Sequence, residues 1–332
     1  MDRNPLISRR RLIGLAAAGG AALAAPGLLR AAPMLAELHL YGPPAGPSIT
    51  LAHAVAAGAL DGIAGSVTFA PWKDPDELRA GLASGTMGAV ILPTLTAANL
   101  YTRGLGVRLV NVMTDGLVYV VSPDAGLTTI AGLKGKRLAL PFRNDTPDIL
   151  MQRLMQEAGM APTDVEVVAA ANPIEAVQLL LTGRADAGVL PEPAGAMALM
   201  RAAQEGRAMY RVIDTQAEWG RITGLGPSIP QAGLGVTDAF VQAAPEAAAA
   251  LQAAIAAMVP QVLAAPEAAA ASAADALGMP APVLAKSIPH CALVATPASA
   301  ARPALEAMFA AVAEADAAII GGRLPDDGFY LL

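Results

Sequence analysis

The five residues Phe142-Arg143-Asn144-Asp145-Thr146 bring a guanidinium, a carboxamide, a carboxylate and a hydroxyl together just ahead of Pro147. Asp145 or Thr146 followed by Pro147 reads as a helix start, with the proline inside the first turn. Backbone N–H groups and the helix dipole favour an anion or a polar group there. Arg143 adds a planar donor fork that suits a carboxylate, sulfonate or phosphate. Glu192, set between Pro191 and Pro193, stands at a second helix start and offers the opposite charge to an amine or amidine donor. Trp72 falls between a strand and a helix, where its ring can stack on a planar ligand. Tyr41, Ser48 and Thr94 lie in or beside loops of the same kind, and Asp115 follows Thr114 in a turn. Together these ten residues describe capture of a small molecule by fixed polar groups in a mostly apolar cleft.

Chemistry beyond capture finds little support. Cys291 is the single cysteine, which excludes an intramolecular disulfide and reads as an inert residue. The three histidines, His39, His53 and His290, do not have metal-ligand spacing. No P-loop, G-x-G-x-x-G, G-x-S-x-G or H-E-x-x-H pattern occurs. No catalytic residue, cofactor or metal is expected. The 332 residues carry 22 Lys+Arg against 28 Asp+Glu, net −6. Without residues 1–32, which hold Arg3, Arg9, Arg10, Arg11, Arg30 and Asp2, the balance becomes −10. An acidic surface of this kind argues against nucleic acid, which requires clustered Lys and Arg.

The elements that must position these residues alternate between strand and helix. Strands are read at 37–41, 66–70, 89–92, 108–112 and 117–121, then at 137–140, 164–168, 187–190 and 210–213. Ser48, Asp74-Pro75 and Asn172-Pro173 read as helix starts. Glycine and proline punctuate the remainder. Such alternation implies an α/β fold with mostly parallel sheets. Ligands of open parallel sheets bind beyond the carboxyl ends of the strands, where the candidate loops fall. Two halves resemble each other weakly: "GTMGAVILP" and "GRADAGVLPEP" each carry a buried strand between a glycine break and a proline. From Thr237 onward the pattern reads as helical, with Ala-rich stretches at 245–277 and 298–318.

Residues 1–32 read as an export signal. A basic n-region ends in Ser8-Arg9-Arg10-Arg11-Leu12-Ile13, which resembles the twin-arginine pattern, and Leu12–Ala25 is apolar but too short and glycine-rich for a span. Periplasmic location by that route is expected.

The run Leu127–Met200 resembles the periplasmic solute-binding proteins of ABC importers, of the nitrate, sulfonate, taurine and thiamine-precursor type. It carries Ala131-Gly132-Leu133-Lys134-Gly135-Lys136, Leu154-Met155-Gln156-Glu157-Ala158-Gly159, Asn172-Pro173-Ile174-Glu175-Ala176 and Gly183-Arg184-Ala185-Asp186-Ala187-Gly188-Val189-Leu190-Pro191-Glu192-Pro193 in order. The resemblance implies a two-lobed type II periplasmic-binding fold, with mixed, mostly parallel sheets, helices on both faces and a ligand cleft between lobes. It implies crossovers at Leu117–Ser122 and 231–236. Lobe 1 would then be 37–122 plus 231–332, with 123–230 inserted as lobe 2. The expected function is capture of a small anionic or polar organic molecule for the membrane permease of an ABC importer, by a monomer. An exported sensor, or an enzyme of the thiamine-pyrimidine or menaquinone-pathway type on the same fold, are the alternatives. Relatives commonly carry Trp before the Glu/Asp-Pro pair, where this chain has Leu190-Pro191.

Overall fold

A computed structural model describes residues 33–332, so the export segment read at 1–32 lies outside the described residues. Strand β1 (Leu35–Gly42) leads to helix α1 (Gly46–Ala56), then to β2 (Ala64–Pro71), α2 (Pro75–Ser84), β3 (Ala89–Pro93) and α3 (Thr94–Thr102). The three strands are parallel and stand in the order β3-β1-β2. The expected strand at 108–112 is two: β4 (Val107–Leu109) and β5 (Asn111–Thr114). The break falls at Val110, whose amide donates to Leu234 O while its carbonyl accepts from Ala298 N.

The chain then turns through Asp115–Leu117 into a second sheet. This sheet holds β6 (Val118–Ser122), β7 (Arg137–Pro141), β8 (Glu166–Ala170), β9 (Ala187–Pro191) and β10 (Tyr210–Asp214), in the order β10-β6-β9-β7-β8. Helices α4 (Thr146–Glu157), α5 (Pro173–Leu181), α6 (Ala194–Gln204) and α7 (Thr215–Thr223) connect them. Strand β6 pairs antiparallel with β9 and β10 and so belongs to this second sheet.

The return strand β11 (Ala232–Thr237) pairs antiparallel with β3, β4 and β5 in the first sheet. Its Gly233 runs against the neighbouring backbone, where an added Cβ would sit 1.8 Å from Asn111 O. The tail is not wholly helical. After α8 (Asp238–Ala243), α9 (Ala247–Ala264), α10 (Pro266–Leu277) and α11 (Ala281–Ser287), strand β12 (Leu293–Pro297) pairs with β5 before α12 (Ala298–Ala313). A strand of five residues in an Ala- and Pro-rich context has too little periodicity to be seen without its partner. α9 is long and apolar enough to cross a membrane, but it contains Pro260 and its Leu251, Ile255, Met258 and Val262 are buried in the core, as in a core helix.

The architecture is therefore α/β and two-lobed, with helices flanking each sheet. The parallel strands, β3-β1-β2 and β9-β7-β8, occupy one side of each sheet out to the edge, and the strands on the other side pair antiparallel. The orders β3-β1-β2 and β9-β7-β8 match, which gives the two similar sequence halves equivalent places in the two lobes. The two crossings lie side by side: Ile229 N donates to Asp115 O at 2.7 Å and Gln231 N to Thr114 O at 3.1 Å. The lobes also touch beyond the crossings. Arg153 on α4 pairs with Glu314 just past α12 at 3.1 Å, and Val283 on α11 packs with Ala196 and Met197 on α6.

Candidate functional site

The carboxyl ends of β2, β7 and β8 face one another across the lobes, and the loops that follow them enclose a cavity of about 700 Å³. Lobe 1 contributes Lys73, Asp74, Asp76 and Arg79, and lobe 2 contributes Phe142, Arg143, Asp145, Asn172 and Glu175. Sequence sets this geometry locally. Asp74 caps α2 by accepting from Asp76 N and Glu77 N, with Pro75 at the helix start. Asn172 caps α5 in the same way through Glu175 N. The loop before α4 turns sharply, because Phe142 and Asn144 both have positive φ, 55° and 61°.

Asp148 holds that loop. Its buried carboxylate accepts from Asn144 N at 2.8 Å and Gln152 Nε2 at 2.7 Å, and lies 3.2 Å from Arg143 Nε. Arg143 is half-exposed and pairs with Asp148 by charge, without an aligned hydrogen bond, and neither its guanidinium nor Lys73 Nζ donates a hydrogen bond to a protein group among the described residues. The acids on the wall are engaged within the protein: Asp74 in its cap, Asp76 with Arg79, and Glu175 with Ala171 N.

Asp145 is 8% exposed and accepts from Thr146 N at 2.7 Å. Burial raises its pKa, against the lowering effects of the Thr146 bonds, the Arg79 charge and a bond from the Thr96 hydroxyl. Arg79 and Thr96 belong to lobe 1, so this acid is shared across the cleft. Arg79 and Asp145 also line a second cavity of about 250 Å³, together with Thr96, Asn144 and Ile149.

The remaining candidates have other surroundings. Trp72 is 4% exposed in the lobe-1 core and donates Nε1–H to Ile91 O at 3.0 Å, which leaves no open ring face for stacking. Ser48 does not cap α1: the helix starts at Gly46, and the buried hydroxyl donates back to Pro43 O at 2.6 Å. Thr94 is buried, with its hydroxyl donated to Pro230 O at 2.6 Å. Thr146 is buried beside Asp145. Tyr41 is the penultimate residue of β1, half-buried against the core. Asp115 sits in the crossing, where burial raises its pKa against the bond from Ser228 of the other crossing strand.

Glu192 follows β9 and is fully buried. Its Oε1 accepts from Arg211 Nε at 2.6 Å, with Nη2 also 2.5 Å away but off the hydrogen-bond line. Its Oε2 accepts from Ala196 N at 3.0 Å in the first turn of α6. Helix α6 starts at Ala194, so Pro191 closes the strand rather than opening the helix. Burial still raises the Glu192 pKa, against the Arg211 charge. The carboxylate serves lobe 2 internally, while its backbone carbonyl accepts from Gly46 N of lobe 1 at 3.1 Å. Arg211 lies 5.7 Å over the Tyr119 ring, whose edge meets His290. Cys291 is fully buried nearby, under Gly46.

Sequence reading missed Lys73, Arg79, Asp148 and Arg211. Lys73 and Arg79 flank the recognised Asp74-Pro75 helix start, and Asp148 lies one turn beyond the loop it supports. Arg211 carries no local signal, since its partner is nineteen positions away.

The fold recurs in solved structures. An ABC transporter protein from Parabacteroides distasonis superposes with TM-score 0.71 at 22% identity, covering 89% of this chain and 98% of that one. The alkanesulfonate-binding protein SsuA from Xanthomonas axonopodis pv. citri, bound to MOPS, gives 0.65 at 15% identity, covering 91% and 97%. The periplasmic nitrate-binding protein NrtA from Synechocystis PCC 6803 gives 0.60 at 16%, covering 77% and 71%. No curated protein matches the chain by sequence. The family model NMT1/THI5 like matches residues 86–269, more than half of the sequence, and the chain belongs to that family.

Proposed function

We propose that this chain is an exported solute-binding protein that closes on a small anionic or polar organic molecule and delivers it to the permease of an ABC importer. One observation carries the reading. The loops that follow β2 in lobe 1 and β7 and β8 in lobe 2 open on a shared cavity of about 700 Å³, where the Arg143 guanidinium and Lys73 Nζ donate no hydrogen bond to a protein group among the described residues. Donors without protein acceptors, at the carboxyl ends of parallel strands, suit an acceptor-rich ligand. A ligand touching both Lys73 and Arg143 bridges the lobes and favours the closed state by its differential contacts. The neighbours named as sulfonate- and nitrate-binding proteins support an oxyanion. The crossings at 115–117 and 227–231 form the hinge in this reading, and the two lobes are the β1–β5 plus β11–β12 unit and the β6–β10 unit.

Binding fits the cleft better than catalysis. Cys291, the lone thiol, is buried away from the cavity, and the wall carboxylates are committed to caps and ion pairs. The test is mass spectrometry of the small molecule released from protein purified from its native host, followed by small-angle scattering with and without it. A decrease in the radius of gyration on binding is expected. A radius unchanged by a saturating ligand contradicts the hinged binder.

A further inference from the structure

Arg153 of α4 stands between the lobes and holds two carboxylates at once. Its Nη2 lies 2.8 Å from Glu157 Oε1, one turn further along the same helix. It also lies 3.1 Å from Glu314 Oε2, which belongs to lobe 1 just past α12. The Arg153 side chain is only 19% exposed, and its Nε is enclosed without a hydrogen-bond partner.

Packing around this pair is incomplete. A cavity of about 320 Å³ lies beside it, walled by Ile149, Met155 and Met160 of lobe 2 and by Val312, Ala315 and Ile319 of lobe 1. Ile149 and Ile319 also line the 250 Å³ cavity. Atoms that border a void lack partners on that side and forfeit dispersion attraction. Two voids in a row therefore leave little apolar adhesion between α4 and the segment after α12. The contact of α11 with α6 differs, since Val283, Ala196 and Met197 are all buried in one apolar cluster.

The arrangement suits release. When the lobes part, Arg153 loses Glu314 but keeps Glu157, so its charge is not left without a partner. Water entering the seam also reaches Nε, whose enclosure without an acceptor costs free energy while the lobes are together.

We propose that Arg153 is a releasable latch, exchanged between Glu314 of the other lobe and Glu157 of its own helix, that sets how readily the lobes part. The proposal rests on the hinged reading of the crossings and is independent of what the cleft binds.

Paired spin labels test it. Ser66 and Glu166 are exposed near the amino ends of the edge strands β2 and β8, away from the cleft. Labels on Ser66→Cys and Glu166→Cys, with Cys291→Ala removing the native thiol, report lobe separation by pulsed dipolar spectroscopy. Glu314→Gln should move population from shorter to longer separations and change their ratio about two- to fivefold, the range for an ion pair with an exposed partner. Glu157→Gln should act in the opposite direction, because parting then leaves Arg153 without a carboxylate. Added salt should lengthen the separation in the parent and have little effect in Glu314→Gln. If both variants keep the parent's distribution while salt still changes it, the hinge stands and the latch is wrong. If Glu157→Gln opens the lobes as Glu314→Gln does, the exchange between the two acids is wrong. One fixed separation in the parent and both variants, at every salt concentration, would overturn the hinged reading and the latch with it.

Discussion

The amide of Gly46 donates to the carbonyl of Glu192 at 3.1 Å and joins the first turn of α1 in lobe 1 to the end of β9 in lobe 2. The carbonyl can be placed there because the Glu192 side chain is anchored from behind by Arg211. A buried carboxylate that loses its only cation is costly, because the remaining charge cannot reach water. Arg211→Met is therefore expected to destabilise the protein by about 3–5 kcal/mol. Adding Glu192→Gln to that variant should restore most of the loss. Urea unfolding of the parent and the single and double variants measures both, and equal stabilities of the two variants would show that the unpaired Glu192 charge is not the source of the loss.

Asp145 gives stability a defined pH dependence. Burial raises its pKa above the ordinary 3.8, so the folded chain holds the proton more tightly than the unfolded chain. The contribution of such an acid is favourable at low pH and is lost as pH rises from the unfolded value through the raised folded value. Asp145→Asn removes this linkage while keeping the shape. The variant should melt higher than the parent at about pH 7, with the difference vanishing towards about pH 4. Asp115 and Glu192, whose pKa values are also raised by burial, retain the same trend in both proteins. A constant difference across the range would rule out titration of Asp145.

Arg143 is the residue whose loss should affect the ligand most directly. Its guanidinium pairs by charge with the buried Asp148 carboxylate and lines the cleft. Arg143→Ala is expected to cost about 1.5–3 kcal/mol of binding, roughly ten- to a hundredfold in affinity. Calorimetry with the ligand released from native protein measures the loss. Glu192→Gln should not weaken binding through a ligand contact, because that carboxylate is enclosed by Arg211 and α6.

The α/β class, the helix caps at Asp74, Asp145 and Asn172, and the loop 142–146 were legible because each depends on neighbours in sequence. Proline after a capping side chain and apolar runs bounded by glycine are local signals. The tail strand β12 was not legible, since its identity comes from pairing with β5, far away in sequence. The same limit explains Trp72. Its position after a strand is local, but its orientation into the core follows from the Ile91 carbonyl on another strand. Glu192 was singled out by its two prolines, yet its role was set by Arg211, which no pattern near Glu192 announces. Lys73 and Arg79 became cleft residues only because the second lobe stands opposite them.

Export is testable without knowledge of the ligand. Ser8-Arg9-Arg10-Arg11-Leu12-Ile13 resembles the twin-arginine signal. Changing Arg9, Arg10 and Arg11 together to Lys should leave uncleaved precursor in the cytoplasm, seen by fractionation and immunoblotting. Normal periplasmic accumulation of that variant would exclude this route.

Cys291 supplies a built-in probe of the lobe contact. The thiol is fully buried, burial pushes its pKa up, and the nearby Glu192 charge pushes it further. Thiolate is the reactive form, so both effects suppress reaction with an aromatic disulfide reagent. The cover over the sulfur is α1: a Cβ added at Gly46 would lie 2.5 Å from Sγ. That turn is the one tied to the Glu192 carbonyl, so displacing it requires the lobe contact to break. Labelling should therefore be slow in the native protein and fast in urea. It should be intermediate in Arg211→Met, where the support behind Glu192 is gone. A ligand that closes the cleft should slow it further. Native labelling at the rate of the unfolded chain would mean that the first turn of α1 does not shield the thiol, and the contact between Gly46 and Glu192 would then hold nothing shut.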